Sequence, residues 1–237
     1  MPLTQAAPGR LEKDHRQQGS LLALVVICVG YFLVILDAMV VNVALPSIGR
    51  ELHGGVAGLQ WVVDAYTLSF AGLLLAGGAL AERRGGRQVF LAGLATFAVA
   101  SAACGLAPSL PFLIGARLVQ GAGAALLVPS SLVLLQAAYP TRADRSRALG
   151  IWGAVAGVGA ASGPIVGGLL VTGWSWRGVF FINLPFAVAG LALAGRAVPV
   201  TPRRARALDL PGQLLAIAGL ALLTAVLVEA GRLGWTA

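Results

Sequence analysis

The amino-acid sequence predicts an all-α, polytopic membrane helix bundle. Three observations carry that expectation: 58% of the 237 residues are hydrophobic against 11% charged, apolar runs of membrane-spanning length recur, and the cations gather in alternate connectors. A chain with a mean hydropathy of +0.85 has too little polar surface to enclose a core in water. Its solvent is therefore lipid, whose hydrocarbon layer of about 30 Å takes about 20 apolar residues at a rise of about 1.5 Å each.

Seven runs meet that length, approximately Leu21 to Val41, Leu59 to Ala81, Gln88 to Ala107, Leu110 to Ala138, Ala148 to Val171, Gly178 to Gly195 and Leu210 to Val228. Arg10, Lys13 and Arg16 precede the first run, Arg83, Arg84 and Arg87 follow the second, Arg142, Arg145 and Arg147 follow the fourth, and Arg196, Arg203, Arg204 and Arg206 follow the sixth. The alternate connectors hold only Arg50, Arg177 and Arg232. Thirteen cations against three put the amino terminus and the arginine-rich connectors on the cytoplasmic side of the membrane, because short basic loops are retained there. The net charge of +8 thus marks topology, and no nucleic-acid partner is expected. Trp61, Trp174, Trp176 and Trp235 fall at predicted outer edges, where an indole buries its ring and keeps its N–H wet.

The first run is too long for a signal peptide, carries Asp37 and lacks a small-x-small cleavage site. Cys28 and Cys104 lie within runs as small packing residues and define neither a disulfide framework nor a metal site. A phosphate-cradling loop needs a lysine, and Lys13 in the tail is the sole one. Serine proteolysis needs a base beside the nucleophile, but His15 and His53 lie outside the runs that hold Ser162. Neither Asp37 nor Asp64 sits in the Gly-x-Gly-Asp context of an intramembrane aspartyl protease. No enzyme is expected.

Asp37, Asp64 and Arg117 are the ionisable residues well inside the runs. An uncompensated charge at the bilayer centre costs at least about 2.5 to 3.5 kcal/mol, so each needs a partner or a water-filled cavity. With the first helix continued to Leu45, Asp37 lies roughly 12 Å and Arg117 roughly 10 Å below the outer boundary. The two are expected to face one cavity, with Asp64 nearer the outside; the alternative is an ion pair that only ties helices together.

Five motifs follow in order. Leu36-Asp37-Ala38-Met39-Val40-Val41-Asn42-Val43-Ala44-Leu45-Pro46 resembles the first-helix signature of the drug/proton antiporters of the major facilitator superfamily. Gly78-Ala79-Leu80-Ala81-Glu82-Arg83-Arg84-Gly85-Gly86-Arg87 resembles the superfamily's signature between helices two and three, and Arg117-Leu118-Val119-Gln120-Gly121-Ala122-Gly123 its fourth-helix motif. Gly159-Ala160-Ala161-Ser162-Gly163-Pro164-Ile165-Val166-Gly167-Gly168 resembles the antiporter motif of helix five. Trp176-Arg177-Gly178-Val179-Phe180-Phe181-Ile182-Asn183-Leu184-Pro185 resembles the start of helix six in the fourteen-helix branch.

The resemblance implies the fold: a six-helix half of three plus three helices in inverted topology, followed by a seventh helix. The tail then occupies residues 1–20, the transporter half 21–198, the linker 199–208 and the seventh helix 209–237. It implies proton coupling at Asp37 and Arg117, with protons as the coupling ion and no metal or cofactor. Asp64, Tyr66, Asn42 and Gln120 would line the cavity, Gln120 one turn from Arg117 on the same face, although a tyrosine near the interface also serves as an anchor. Gly78, Glu82, Arg83, Gly85 and Arg87 would form a gate, Glu82 engaging a helix end of the other half. The family more often has aspartate at Glu82 and a basic residue at Gly86. Arg83, Arg84 and Arg87 can equally pair with Glu82, Asp144 or anionic lipid headgroups.

Pro164 removes a backbone donor and bends its helix, and Gly159, Gly163 and Gly167 expose backbone along one face. By themselves these features make for ordinary close helix packing; the resemblance assigns them, with Gly168, to a hinge or seam against the carboxyl-terminal half. That missing half, the bilayer and an amphipathic small molecule are the implied partners, and no transport is expected from this polypeptide by itself. A carrier for a narrower metabolite and a non-transporting membrane scaffold remain the alternatives.

Overall fold

The computed structural model describes residues 8–203 and scattered residues between 211 and 226, with side chains described from Leu21 onward. Residues 204–208 of the expected linker and most of the expected seventh span lie outside the described residues. The elements are α1 (Pro8–Glu51), α2 (Val56–Arg84), α3 (Gly86–Gly105), α4 (Leu110–Ala138), α5 (Arg142–Gly173), α6 (Gly178–Phe181) and α7 (Asn183–Ala197). Among the described residues, six helical segments are long and apolar enough to cross a membrane, α6 and α7 together making the sixth.

Several boundaries differ from expectation, and the first helix already begins at Pro8, within the expected tail. The first helix runs ten residues past Val41, to Glu51. Pro46 lies inside it, where its ring nitrogen withholds one donor without ending the helix. Its end is tied down, because the Nε1–H of Trp176 donates to Glu51 at 2.7 Å and Arg177 pairs with the same carboxylate. Trp176 is therefore 2% exposed rather than an interfacial anchor. The fifth helix starts at Arg142 because Thr141 caps it: the hydroxyl oxygen accepts from the Asp144 N–H at 3.2 Å and the hydroxyl donates to the Asp144 carboxylate at 2.6 Å. Asp144 thus serves its own helix instead of the α2–α3 arginines. The sixth span is divided at Ile182. Pro185 lacks the N–H that would bond the Phe181 carbonyl, and the neighbouring Phe180 carbonyl accepts from the Ser101 hydroxyl at 2.8 Å.

Topology follows the inverted-repeat expectation. The middle helix of each triple packs mainly on the first helix of the other, α2 on α4 and α5 on α1. Lipid tails supply no hydrophobic drive between helices, so close approach of small residues has to hold them. A Cβ on Gly77 would lie 2.1 Å from the Ala125 carbonyl oxygen, and one on Gly121 2.3 Å from that of Tyr66. Gly93 and Gly123 bring α3 and α4 together in the same way. Two apolar clusters result, one around Ile27, Leu33, Phe90, Phe97 and Leu127, the other around Val40, Ile48, Leu113, Trp176 and Phe180. Between them, at mid-height, lies a polar layer.

Candidate functional site

Asp37 reaches that layer from α1 and Arg117 from α4, with relative exposures of 0% and 1%. Nη1 of Arg117 donates to Asp37 Oδ2 and, at 2.9 Å, to Gln120 Oε1. Its Nε donates to the Val62 carbonyl at 3.1 Å. Gln120 Nε2 donates to Asp37 Oδ1 at 2.8 Å, and so does Asn183 Nδ2 at 2.9 Å. The carboxylate thus holds three donors and one full countercharge, the arrangement that makes an ion pair tolerable at low dielectric. Asn183 also donates to Ser101 Oγ at 3.0 Å, while its Oδ1 has no partner.

The guanidinium lies between two rings. Its Cζ is 4.1 Å from the Tyr66 ring centroid and 5.9 Å from that of Phe180, so the flat cation meets the negative faces of aromatic walls. Tyr66 is 3% exposed and its hydroxyl donates to the Val34 carbonyl at 3.1 Å, a core position instead of the alternative of an interfacial anchor. Cys104 joins the network, its thiol 3.4 Å from Gln120 Oε1.

The structure brings Asp37, Arg117, Gln120 and Tyr66 together, but not in the shared cavity expected for them, because the surrounding rings and apolar clusters seal the pair. Asp64 is half-buried elsewhere, in a cavity of about 440 Å³ between α1 and α2 that it lines with Asn42, Gln60, Leu45, Leu59 and Val63. Asn42 is exposed and its amide donates to the Ala38 carbonyl of its own helix at 2.9 Å. Asn183 and Ser101 are site residues that the ionisable-residue search passes over. Their signal in the sequence was the presence of a polar side chain within an apolar run.

In the turn between α2 and α3, Gly85 takes φ 97°, a left-handed conformation that favours glycine. Arg87 donates to the Gly195 carbonyl near the end of α7. Glu82 is half-buried and Arg83 exposed. Gly78 sits beside the α2–α4 contact, but its neighbour Gly77 makes the closest approach. The glycines of α5 divide between two faces. Gly159, Gly163 and Gly167 pack on Ile35, Met39 and Val43 of α1, so this row is a seam within the half rather than against a second one. Gly150, Gly153, Gly157 and Gly168 meet nothing within 4 Å, and Ile165 beside Pro164 is 67% exposed.

Known proteins are similar to this chain in sequence and in fold. The methylenomycin A resistance protein of Streptomyces coelicolor is 44% identical over 94% of this chain and 47% of its own length. The cephamycin export protein CmcT of Amycolatopsis lactamdurans is 47% identical over 90% of this chain and 44% of its own. The multidrug resistance protein Stp of Mycobacterium tuberculosis is 44% identical, with 91% and 40% covered. The chain therefore spans about half the length of these relatives. A crystal structure of a peptide transporter POT in complex with sulfate superposes with a TM-score of 0.67 at 16% identity, over 91% of this chain and 49% of that one, a likeness of fold. The sequence profile of the Major Facilitator Superfamily matches residues 27–234. A multi-pass helical chain with these motifs, this inverted packing and this match over most of its length belongs to the major facilitator superfamily.

Proposed function

We propose that the chain is the amino-terminal half of a proton-coupled exporter that moves drugs or other amphipathic molecules out across the bacterial plasma membrane, its amino terminus in the cytoplasm. The buried Asp37–Arg117 pair with its Gln120 and Asn183 donors carries this assignment. Such a pair at membrane depth is expensive to keep, and a carboxylate there changes its bonding when it gains a proton. A proton on Asp37 removes the countercharge of Arg117 and turns an acceptor oxygen into a donor, so the network cannot remain as it is. Proton binding and helix arrangement are thereby linked, which is the condition for exchanging a proton against a substrate.

The Asp64 cavity suits the other ligand. A carboxylate and two amides among apolar walls offer an amphipathic molecule both kinds of contact. The open glycine face of α5 supplies the surface against which a second half would move. The relatives' names, which speak of resistance to and export of antibiotics, support the substrate class.

The test is dye efflux from bacteria expressing the chain alone or fused to the carboxyl-terminal half of a full-length relative. The fusion is expected to export a cationic dye, an uncoupler to abolish that export, and the chain alone to give none. Uncoupler-insensitive export would remove the proton, and no export from the fusion would favour a scaffold.

A further inference from the structure

The turn between α2 and α3 and the segment after α7 enclose a cavity of about 300 Å³ that proton coupling does not use. Its wall is built. Thr201 is 7% exposed, and its hydroxyl oxygen accepts the Gly86 N–H at 2.6 Å across 115 residues of sequence. A Cβ on Gly85 would lie 3.2 Å from the Thr201 carbonyl, so the turn and the segment fit closely.

Arg84 from the end of α2, Arg87 from the first turn of α3 and Arg203 beyond α7 line the cavity, with Gln88 beside them. Arg87 is anchored through its bond to the Gly195 carbonyl. Among the described residues, the ion pairs involve Arg117 and Arg177, and none joins these three arginines to a described carboxylate. Gly86 spends its N–H on Thr201, and Val89 is the first residue of α3 to bond a carbonyl behind it, at 3.3 Å. The N–H groups between them add positive potential to the arginines. On the other side stand Leu91 and Val200, the latter 78% exposed. Three cations against an exposed apolar edge suit the depth at which a lipid phosphate meets its glycerol and acyl chains.

We propose that this pocket holds one phosphate group, that of an anionic phospholipid in the leaflet on the arginine-rich side. The lipid would bridge the α2–α3 turn to the segment leaving α7, and this assignment stands independently of proton coupling.

Native mass spectrometry of the full chain, titrated with dioleoylphosphatidylglycerol or dioleoylphosphatidylcholine, tests it. One phosphatidylglycerol is expected to be retained about tenfold more tightly than phosphatidylcholine, and Arg84→Gln and Arg203→Gln each to weaken it about fivefold. Arg147→Gln, exposed and outside the pocket, is the control and should change nothing. All three positions are exposed or half-exposed, and unchanged helical circular dichroism would confirm that the variants fold. Equal retention of the two lipids, or retention unchanged in the Arg84→Gln/Arg203→Gln double variant, would overturn the proposal. Calorimetric binding of inorganic phosphate tighter than that of phosphatidylglycerol would overturn the lipid as the source.

Discussion

Replacing Arg117 by alanine is expected to destabilise the bundle by about 3 to 5 kcal/mol, because it strands a buried carboxylate without its countercharge. Gln120 and Asn183 still donate to Asp37 in that variant, but neither amide carries charge. Adding Asp37→Asn should recover part of the loss, with a coupling of about 1 to 3 kcal/mol in a double-mutant cycle. Unfolding in mixed detergent, followed by tryptophan fluorescence, measures it. The outer pair gives the contrast. Arg177 and Glu51 are 29% and 48% exposed, and Glu51→Gln should cost less than about 1 kcal/mol. Equal losses at the two pairs would contradict the burial argument.

The second large effect concerns glycine. Gly77→Ala and Gly121→Ala put a methyl group into backbone 2.1 and 2.3 Å away, and a packed seam has to spread to admit it. A cost of about 1 to 3 kcal/mol each is expected, with Gly121→Ala also disturbing Tyr66 beneath the guanidinium. Gly163→Leu should behave similarly, since Met39 Cβ lies 2.3 Å from the position of the new Cβ. Gly157→Ala meets open space and should change stability by no more than about 0.5 kcal/mol. The same unfolding assay separates the two groups, and equal effects would mean that these glycines do not set the helix spacing.

Much of this was legible in the sequence because lipid punishes errors that water forgives. Apolar length located the spans, and the rarity of charge singled out Asp37 and Arg117, which counting along the helices put at one level. That Asp64 lies apart from them was not legible, since depth says nothing about which way a side chain faces around its helix. Asn183 and Ser101 were missed for a different reason: neutral polar side chains cost far less at depth than charges, so their presence alone is a weak signal. The row Gly159, Gly163 and Gly167 fixed a face but not its neighbour, because the same small-residue spacing serves an internal seam and an external one. Trp176 sits in an edge position by counting, yet the carboxylate of Glu51, 125 residues away in sequence, draws it inside.

The role proposed for Asp37, to carry the coupling proton, is tested most directly by proton release on substrate binding. Substrate added to the purified fusion of this chain with a relative's carboxyl-terminal half, in weakly buffered solution with a pH indicator and acid enough to protonate Asp37 beforehand, should release about one proton per molecule bound and return Asp37 to its ionised, Arg117-paired form, following the linkage between the two ligands. Asp37→Asn should bind substrate and release none. Proton release of the same size from both proteins would contradict the account.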